Sequence, residues 1–479
     1  MEIPFIGGAY TGYSRNINAQ RCVNLFPVID QQDAKSVLAL YGTPGLVEFI
    51  DTSKIIVRGM HEFITDVGAY GFGRVLYYVA DNTVYSVTYD GNIISTLGTI
   101  TTNSGNVFMA DNGTEVIIVD GTPNGYLITG GVLSAITDTD FPVATTVTYQ
   151  DGYFIVTAND LIYISGLYDG TSWNALDFAS AEANPDSATR VISNSKDLWI
   201  FGTSSVEIFY NSGAADFPFV RIPGAVIELG LDALASAVKI NGIIYWLSAE
   251  RKIVRGQGYQ YAIVSTPQID YQISTYSKTD DAIGFTYQLL GHIFYVITFP
   301  TADKTWVYDV TTSFWHEWSS FITAGDSFNL RGRHRANCIE KFGDKYIVGD
   351  YKNGKLYQLD MDTYTDDSNE IIRTRATRVI NKERLNVTWS RLEVEFESGV
   401  GLVTGQGSDP QAILAWSDDG GHTWSNNHAV SIGAIGKYKK RAVWRRLGSS
   451  RNRILRVSIS DPVKVVMLGA HADVMESRS

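Results

Sequence analysis

Short runs of alternating apolar and polar residues recur along the first three quarters of the chain, and each run meets the next at a tight turn. The clearest example is residues 144–157, where two runs of β-branched and aromatic residues flank Asp151-Gly152. An Asp-Gly dipeptide accepts the positive φ angles that a two-residue hairpin requires. The stretch therefore predicts two antiparallel strands.

The same design returns along the chain at a nearly regular interval. KINGIIYWLS (239–248), QLLGHIFYVI (288–297) and EKFGDKYIVGD (340–350) each combine a glycine turn with a run rich in Tyr, Ile, Val, Phe or Trp. The first hairpin turn of each packet falls at Gly113, Gly152, Lys196, Gly242, Gly291 and Gly343, so the steps are 39, 44, 46, 49 and 52 residues. Four short antiparallel strands per step are what a β-propeller blade of about 40 to 50 residues contains.

These packets predict an all-β fold with a six- or seven-bladed β-propeller over residues 51–367. The packet that starts near Ile55 adds a seventh blade unless it serves only to close the ring. Each four-stranded sheet has two apolar faces, and radial stacking buries both of them. A pair of β-sandwiches would also give closely spaced short strands, but it explains the recurring step less well.

The two ends of the chain depart from the repeat. Residues 1–50 carry scattered Gly, Asn and Pro, which predicts an irregular N-terminal arm. The turn-prone stretch MDTYTDD (361–367) predicts a domain boundary. The following segment RLEVEFESGVG (391–401) alternates apolar and charged residues, which predicts a strand with one solvent-exposed face. Residues 368–479 are therefore predicted to form a jelly-roll-like β-sandwich of about 100 residues.

The composition favours many short strands, and the low number of cysteines favours folding in a reducing compartment. Aromatic residues make up 12% of the 479 residues and 44 are Gly, a mix that suits strands and tight turns. Cys22 and Cys338 are too few for a disulfide framework. The N-terminus lacks a secretion-signal pattern, and no apolar run approaches about 18 residues, so we expect no membrane anchor.

The charge is unevenly distributed. The formal net charge is -12, which disfavours general nucleic-acid binding. From Glu370 to the end there are 17 Lys and Arg against 11 Asp and Glu, whereas the rest of the chain has 22 against 40. The two parts therefore carry opposite signs, either from ordinary drift in surface composition or because the parts bind one another in an assembly.

The sharpest local motif is SDDGGHTW (417–424), which matches the Asp-box pattern S-x-D-x-G-x-T-W and resembles a hairpin of sialidases and many secreted propellers. Short side chains at these positions satisfy backbone groups inside the turn while the Trp packs underneath. We interpret the motif as a structural turn formed by Ser417, Asp419, Gly421, Thr423 and Trp424.

We predict no catalytic, cofactor-binding or metal-binding residues and no enzymatic activity. None of the seven His residues forms an HxH or HExxH pair, and there is no phosphate-binding loop and no GxSxG elbow. A sialidase-like, carbohydrate-cleaving propeller would need an Arg cluster and a Tyr nucleophile beside a carboxylate. That enzyme and a monomeric propeller binding module are the alternatives.

The basic run YKKRAVWRRLGSSRNRILR (438–456) predicts an interface with phosphates or with an acidic subunit. Its members are Lys439, Lys440, Arg441, Arg445, Arg446, Arg451, Arg453 and Arg456. The alternative is a solvated strand and loop face. Because the rest of the chain is acidic, copies of the chain could dock head to tail through this asymmetry.

Several segments together resemble one protein family. In chain order they are NLFPV with YGTPGL, WIFGTSSVEIFYNSG, WVYDVTTSFWHEW, GDYKNGKLYQLD, WSDDGGHTW and WRRLGSSRNRILRVSI. This series, from about Asn24 to Met467, resembles the packaged-DNA stabilisation proteins of short-tailed bacteriophages, also called tail accessory or tail hub proteins.

The resemblance implies a structural role in the virion tail after assembly in the host cytoplasm. It implies a homohexameric ring that joins below the portal and its adaptor ring once packaging is complete. The implied partners also include the tail needle, the tailspikes or fibres, and the end of the packaged DNA. The family offers no catalytic residues to transfer to this chain.

Overall fold

The computed structural model describes residues 1–14, 18–30, 37–66, 72–91, 94–181, 186–214, 217–320, 332–383 and 385–476. Nearly all regular structure in these ranges is β-strand, so the all-β prediction is confirmed. The helical elements include α1 (Pro267–Ser274) and a 3-10 turn at Leu234–Ser236. The helix α1 begins at Thr266, whose side chain accepts a hydrogen bond from the Ile269 N–H, and proline occupies its first turn.

The N-terminal region contains strands, so the expectation of an irregular arm at residues 1–50 is wrong. The strands are β1 (Tyr10–Thr11), β2 (Ala19–Val23), β3 (Leu25–Ile29), β4 (Leu38–Gly42) and β5 (Gly45–Asp51). Three of them, β2, β4 and β5, pair with strands from the last third of the chain. Local sequence patterns carry little information about such pairing.

Four-stranded antiparallel units then follow one another. Unit 1 consists of β6 (Val57–Asp66), β7 (Phe72–Ala80), β8 (Thr83–Thr88) and β9 (Ile94–Thr99), and unit 2 of β10 (Phe108–Asp111), β11 (Glu115–Val119), β12 (Tyr126–Thr129) and β13 (Val132–Ala135). Unit 3 consists of β14 (Thr146–Gln150), β15 (Tyr153–Ala158), β16 (Leu161–Gly166) and β17 (Asp169–Ala179), and unit 4 of β18 (Arg190–Asn194), β19 (Asp197–Phe201), β20 (Val206–Asn211) and β21 (Phe219–Ile227). Unit 5 consists of β22 (Val238–Ile240), β23 (Ile243–Leu247), β24 (Ile253–Gln257) and β25 (Gln260–Ile263).

Two further units complete the ring among the described residues. Unit 6 is β26 (Ile283–Leu289), β27 (His292–Phe299), β28 (Lys304–Asp309) and β29 (Phe314–Glu317); unit 7 is β30 (Ala336–Phe342), β31 (Lys345–Asp350) and β32 (Lys355–Asp360), with β5 from the N-terminal region as its fourth strand. The first strand of unit 7 contacts the first strand of unit 1. The chain therefore closes the ring by contributing to one unit from two distant segments.

Tight turns join the first two strands of these units as the sequence predicts, with glycine at every marker except Lys196. Asp151 and Gly152 have φ angles of 50° and 93°, and they join β14 to β15 in the predicted hairpin. The marker turns of the other units also lie between the first and second strands. Because these turns place the strands side by side, units 1 to 6 are each a continuous antiparallel meander, whereas unit 7 takes its fourth strand from β5.

The core consists of apolar clusters between neighbouring units. Strand β11 illustrates the packing, because alternate side chains of a strand point to opposite faces of its sheet. Val116 and Ile118 pack against unit 1, whereas Ile117 and Val119 pack against unit 3. Equivalent clusters fill the other gaps, including the gap between units 7 and 1. Each unit is thus buried on both faces by its neighbours.

The remaining strands follow unit 7, and all but the first two of them belong to two sheets. They are β33 (Thr365–Asp366), β34 (Asn369–Glu370), β35 (Arg373–Ala376), β36 (Ile380–Asn381), β37 (Val387–Phe396), β38 (Gln411–Ser417), β39 (His428–Ser431), β40 (Ala442–Arg445), β41 (Ser449–Ser450), β42 (Asn452–Ile459) and β43 (Val466–Glu476). One sheet has the order β3-β4-β43-β37-β40, and the other carries β2-β35-β42-β38-β39. Apolar residues of both sheets share one core cluster, as in a sandwich.

The predicted boundary between residues 367 and 368 falls in the turn between β33 and β34. These two short strands extend the sheet of unit 7 through a pairing of Asp366 with Leu46. The residues 477–479 of the predicted C-terminal domain lie outside the described residues.

The N-terminal strands join the ring to the sandwich. Val23 in β2 pairs with Glu317 of unit 6, and β2 also pairs with β35, so the sheet of unit 6 continues into the sandwich. The Arg21 guanidinium donates two hydrogen bonds of 2.8 and 2.6 Å to the Glu317 carboxylate across this junction. Shared backbone pairing and a bidentate ion pair therefore connect the two parts.

Arg375 in β35 fixes the segment that precedes β2. It is fully buried, and its guanidinium donates hydrogen bonds to the carbonyl oxygens of Phe5 (2.6 Å) and Gly8 (2.8 Å). It also donates to the carbonyl oxygen of Arg21 (3.2 Å) and to Oε1 of Gln20 (2.6 Å). One buried cation thus fixes both the segment at Phe5 and Gly8 and the start of β2 on the sandwich.

Candidate assembly interface

Six of the eight basic residues predicted to form an interface are exposed along one sheet edge. We call Lys439, Lys440, Arg441, Arg445, Arg446 and Arg451 the basic ridge. Strand β40 is an edge strand whose only partner among the described strands is β37, and β41 continues along the same side of β37. The segment from Arg441 to Arg451 therefore follows the outer edge of the sandwich.

Most of the charge on the basic ridge is uncompensated within the described part of the chain. Arg441 forms an ion pair of 2.6 Å with Glu393, which also pairs with Arg391. The other five members form no ion pair with any residue that the structure describes. Tyr438 (75% exposed) and Ile435 (55% exposed) lie in the loop beside them. The ridge thus combines several free cations with exposed apolar side chains, which is typical of an interface rim and its anchor.

Arg453 is not part of this surface, which corrects the prediction for this residue. It is 1% exposed, and its Nε and Nη2 donate hydrogen bonds of 2.7 and 2.8 Å to the Asp418 carboxylate. Its Nη1 donates to the carbonyl oxygen of Leu447 at 2.7 Å. The alternation in RILRVSI places Arg453 on the same face as Leu455 and could have revealed this burial.

Arg456 also differs from the exposed members of the run. It is partly buried, with its guanidinium carbon 4.0 Å from the centre of the Trp424 ring. Burial, together with the nearby charge of Arg21, lowers the pKa of Arg456 to about 10. This residue packs against the SDDGGHTW turn and is not placed to lead a contact with a partner.

The SDDGGHTW segment forms a tightly hydrogen-bonded turn between β38 and β39. The Asp419 carboxylate accepts hydrogen bonds from the Thr423 hydroxyl (2.6 Å), the backbone N–H groups of His422 and Thr423 (2.9 Å each) and the Ser417 hydroxyl (2.7 Å). The Ser417 hydroxyl oxygen in turn accepts from the Gly421 N–H at 2.8 Å. These bonds, above all the one from the Thr423 side chain, hold the pKa of Asp419 well below its usual range. This geometry is that of a structural turn, because the Asp419 carboxylate and the Ser417 hydroxyl already accept hydrogen bonds from within the turn.

The first strands of the ring line a central cavity of 510 Å³, which is the place where a propeller enzyme would carry its catalytic groups. His61 lies 2.7 Å from the Asp111 carboxylate, and burial raises the pKa of the nearby Glu340 to about 7. Elsewhere in the cavity, Lys239 donates to the Ser193 carbonyl at 2.7 Å and Arg190 donates to the Leu234 carbonyl. His61, Lys239 and Arg190 in this cavity are thus engaged by other groups of the chain.

The described residues contain no group of three or more His, Cys, Asp or Glu residues arranged to hold a metal ion. Across the same ranges, no helix has both the length and the apolar character needed to cross a membrane.

Two family models match the chain in succession. Residues 1–364 match the model described as bacteriophage P22 Gp10, beta-propeller, and residues 372–475 match the model described as bacteriophage P22 Gp10, beta-sandwich. The chain is therefore a phage structural protein composed of a propeller and a sandwich. It belongs to the bacteriophage P22 Gp10 family of stabilisation proteins.

Two solved structures that match the chain are BamB from Moraxella catarrhalis (8% identity, 63% of this chain and 96% of that chain covered, TM-score 0.37) and YCF48 bound to D1 peptide (13% identity, 67% of this chain and 97% of that chain covered, TM-score 0.41). The computationally designed Ika8 protein gives 12% identity, covers 71% of this chain and 99% of its own, and has a TM-score of 0.37. These TM-scores are too low to support an inference about function. No curated protein matches the chain.

The family matches confirm two predictions made from the sequence. The resemblance to packaged-DNA stabilisation proteins is confirmed, and so is the fold of a β-propeller followed by a C-terminal β-sandwich. The interface role of the basic ridge stays a prediction.

Proposed function

We infer that this chain is a virion structural protein of a phage tail, a hub that forms a homohexameric ring below the portal and its adaptor after packaging. In this role it stabilises the packaged DNA and provides attachment for the tail needle or for tailspikes. The observation that carries the proposal is the succession of family matches over residues 1–364 and 372–475, which together span both parts of the chain.

The fold supports the mechanical side of the proposal. A ring that retains pressurised DNA needs subunits that do not bend between their parts. Here β2 belongs to a sheet that runs from unit 6 into the sandwich, and β5 closes unit 7. The burial of each unit on both faces gives the low compressibility expected of close-packed interiors.

The proposal includes the absence of catalysis. A carbohydrate-cleaving propeller would present Arg, Tyr and carboxylate side chains to a substrate in the central cavity. Glu340 instead accepts a hydrogen bond from the backbone N–H of Glu62, and Lys239 is bound to a backbone carbonyl. Turnover of a fluorogenic sialoside that disappears on Glu340→Gln substitution would contradict this part of the proposal.

The oligomeric state tests the ring directly. We expect light scattering to show an assembly larger than the monomer when the purified chain is mixed with portal and adaptor proteins. A chain that stays monomeric both alone and in that mixture contradicts the proposal.

The basic ridge offers a test of how the ring is held. Arg445→Glu together with Arg446→Glu should weaken assembly, because reversed charges repel a surface that the native ridge attracts. Arg378→Glu is the matched control, since Arg378 is an exposed arginine of the same sandwich outside the ridge. Particles that fill and retain DNA normally with the double variant would contradict an interface role for the ridge.

A further inference from the structure

The outer strand of unit 3 has the features of an uncovered contact surface. Strand β17 (Asp169–Ala179) is 11 residues long and, among the described strands, pairs only with β16. Leu176 is 81% exposed and Phe178 is 44% exposed on this edge. A long edge strand with exposed apolar side chains is a liability in an isolated protein unless a partner covers it.

The adjacent hairpin turn repeats this feature. Leu167 is 56% exposed and Tyr168 is 67% exposed, and both lie in the turn that joins β16 to β17. Tyr168 has a φ angle of 58°, a backbone conformation that bulky residues rarely adopt. The Tyr168 N–H donates to the Gly152 carbonyl at 2.7 Å, so the turn is fixed within the chain while both side chains stay exposed.

Carboxylates lie along the same strand. Asp138 and Asp140 lie in the loop before β14 and accept hydrogen bonds from the backbone N–H groups of Trp173 (2.9 Å) and Ala175 (3.4 Å) in β17. Asp177 is on the strand itself. We call Asp138, Asp140, Leu176, Asp177 and Phe178 the unit-3 edge.

Cations are scarce around this edge, and Arg221, which lines a cavity with Phe178, is paired with Glu207 at 3.6 Å. The 115 residues from 75 to 189 contain 13 Asp and Glu and no Lys or Arg. Asp138, Asp140 and Asp177 form no ion pair among the residues that the structure describes. The unit-3 edge therefore presents apolar side chains inside an uncompensated acidic field.

The basic ridge carries the complementary charge, and it lies on the sandwich, whereas the unit-3 edge lies on the ring. The sandwich is joined to the ring at units 6 and 7, and in the order of units around the ring unit 3 lies across from this junction. The two surfaces therefore belong to different parts of one chain, and no ion pair joins them among the described residues. Such a heterologous pair of surfaces generates a closed ring when successive copies are related by a suitable rotation.

We propose that the basic ridge of one copy docks on the unit-3 edge of the next copy in the ring. This inference rests on the proposed function, which supplies the ring, and adds the surface that receives the ridge. Exposed Tyr438 and Ile435 on one side meet Leu176 and Phe178 on the other, while the arginines of the ridge pair with the aspartates of the edge. The arrangement has the apolar centre and charged periphery of a specific protein interface.

Charge exchange tests this pairing. An edge-reversed chain carries Asp138→Lys, Asp140→Lys and Asp177→Lys, and a ridge-reversed chain carries Arg445→Glu, Arg446→Glu and Arg451→Glu. On the portal and adaptor complex, each variant alone should lose roughly tenfold or more of the assembled fraction, because like charges then face each other. Thermal unfolding of each variant establishes that it is folded.

Restoration is the decisive result. A mixture of the two variants places every reversed surface opposite a complementary one, and so does a chain that carries both sets of substitutions. Both should regain assembly, whereas Asp362→Lys, which changes an exposed carboxylate of unit 7, should assemble as the unaltered chain does. Added salt should weaken all of these assemblies because it screens the charges.

The outcomes separate the pairing from the ring itself. Loss of assembly by the ridge-reversed chain without restoration in the mixture would overturn the pairing and assign the ridge to another partner, such as the adaptor or the DNA end. Normal assembly of the edge-reversed chain would also overturn it. Failure of the unaltered chain to assemble on the portal and adaptor complex would instead contradict the proposed function.

Discussion

Replacing Arg375 with Met removes the group that holds the N-terminal segment on the sandwich. The guanidinium donates four hydrogen bonds of 2.6 to 3.2 Å, all to uncharged oxygens between Phe5 and Arg21. Met has a similar length and no donor, so the four acceptors are left inside the protein without this partner. The substitution therefore tests whether the N-terminal strands connect the two parts of the chain.

The expected loss of stability is large for one side chain. A hydrogen bond with a charged partner contributes about 1.5 to 3 kcal/mol, so the four bonds give an upper bound of roughly 6 to 12 kcal/mol. Removing a buried cation also removes its desolvation penalty, which offsets part of this sum. We expect a net decrease of about 3 to 5 kcal/mol in the free energy of unfolding, the range found when buried charged contacts are broken.

Urea denaturation followed by tryptophan fluorescence measures this decrease, and hydrogen exchange locates it. The Ala9 N–H donates to the Trp315 carbonyl at 2.6 Å, so its exchange should accelerate in the variant. Arg378→Met is the matched control, because Arg378 is exposed and surface substitutions usually change stability by less than about 0.5 kcal/mol. Equal stability of Arg375→Met and the unaltered chain would refute the role assigned to Arg375.

Three further predictions concern single sites. Leu46 lies in β5, the strand that closes unit 7, and is 2% exposed, so Leu46→Ala should lower the free energy of unfolding by about 2 to 5 kcal/mol. Its neighbour Val47 is 40% exposed, so Val47→Ala should lower the free energy of unfolding far less. Equal effects of the two substitutions in urea titrations would contradict closure of unit 7 by β5. Asp419→Ala should lower the midpoint of thermal unfolding more than His422→Ala does, because the Asp419 side chain accepts the hydrogen bonds of the SDDGGHTW turn. Equal midpoints for the two variants would show that the turn does not depend on these hydrogen bonds. Burial raises the pKa of Asp366 to about 7, so the folded chain retains a proton that the unfolded chain releases near pH 4. The free energy of unfolding should therefore fall by about 1 kcal/mol per pH unit as the pH rises from about 4 to 7. Asp366→Asn removes this loss, so its stability advantage should grow with pH in urea titrations, and an advantage independent of pH would be the contrary result.

The repeated units could be predicted because their signals are local. The hairpin at Asp151-Gly152 depends on its turn dipeptide and on alternation in the adjacent strands, and both are visible within the single stretch 144–157. Alternation also explains how Ile117 and Ile118 serve two different clusters. Such information does not depend on the rest of the fold.

The connections between distant segments could not be predicted in the same way. Leu46 pairs with Leu359, and Val23 pairs with Glu317, across separations that no short pattern records. The segment before β2 is positioned by Arg375 through backbone carbonyls, which any sequence provides. Residues 1–50 consequently had the pattern of an irregular arm although they contain five strands.

The candidate interface was partly accessible from the sequence. The basic run identified six exposed residues, but it also included Arg453, whose position opposite Asp418 depends on how β42 pairs with β38. The absence of Lys and Arg between residues 75 and 189 was also visible in the sequence. That Asp138 and Leu176 share one surface was not, because it follows from the hydrogen bond between the Asp138 carboxylate and the Trp173 N–H.

Electron micrographs of phage particles assembled without this protein test the central claim most directly. The measurement is the fraction of heads that contain DNA, compared with particles to which the unaltered chain has been supplied. A stabilising hub predicts mostly empty heads in its absence and filled heads once it is restored. Heads that fill and retain DNA equally well without the protein would contradict the account.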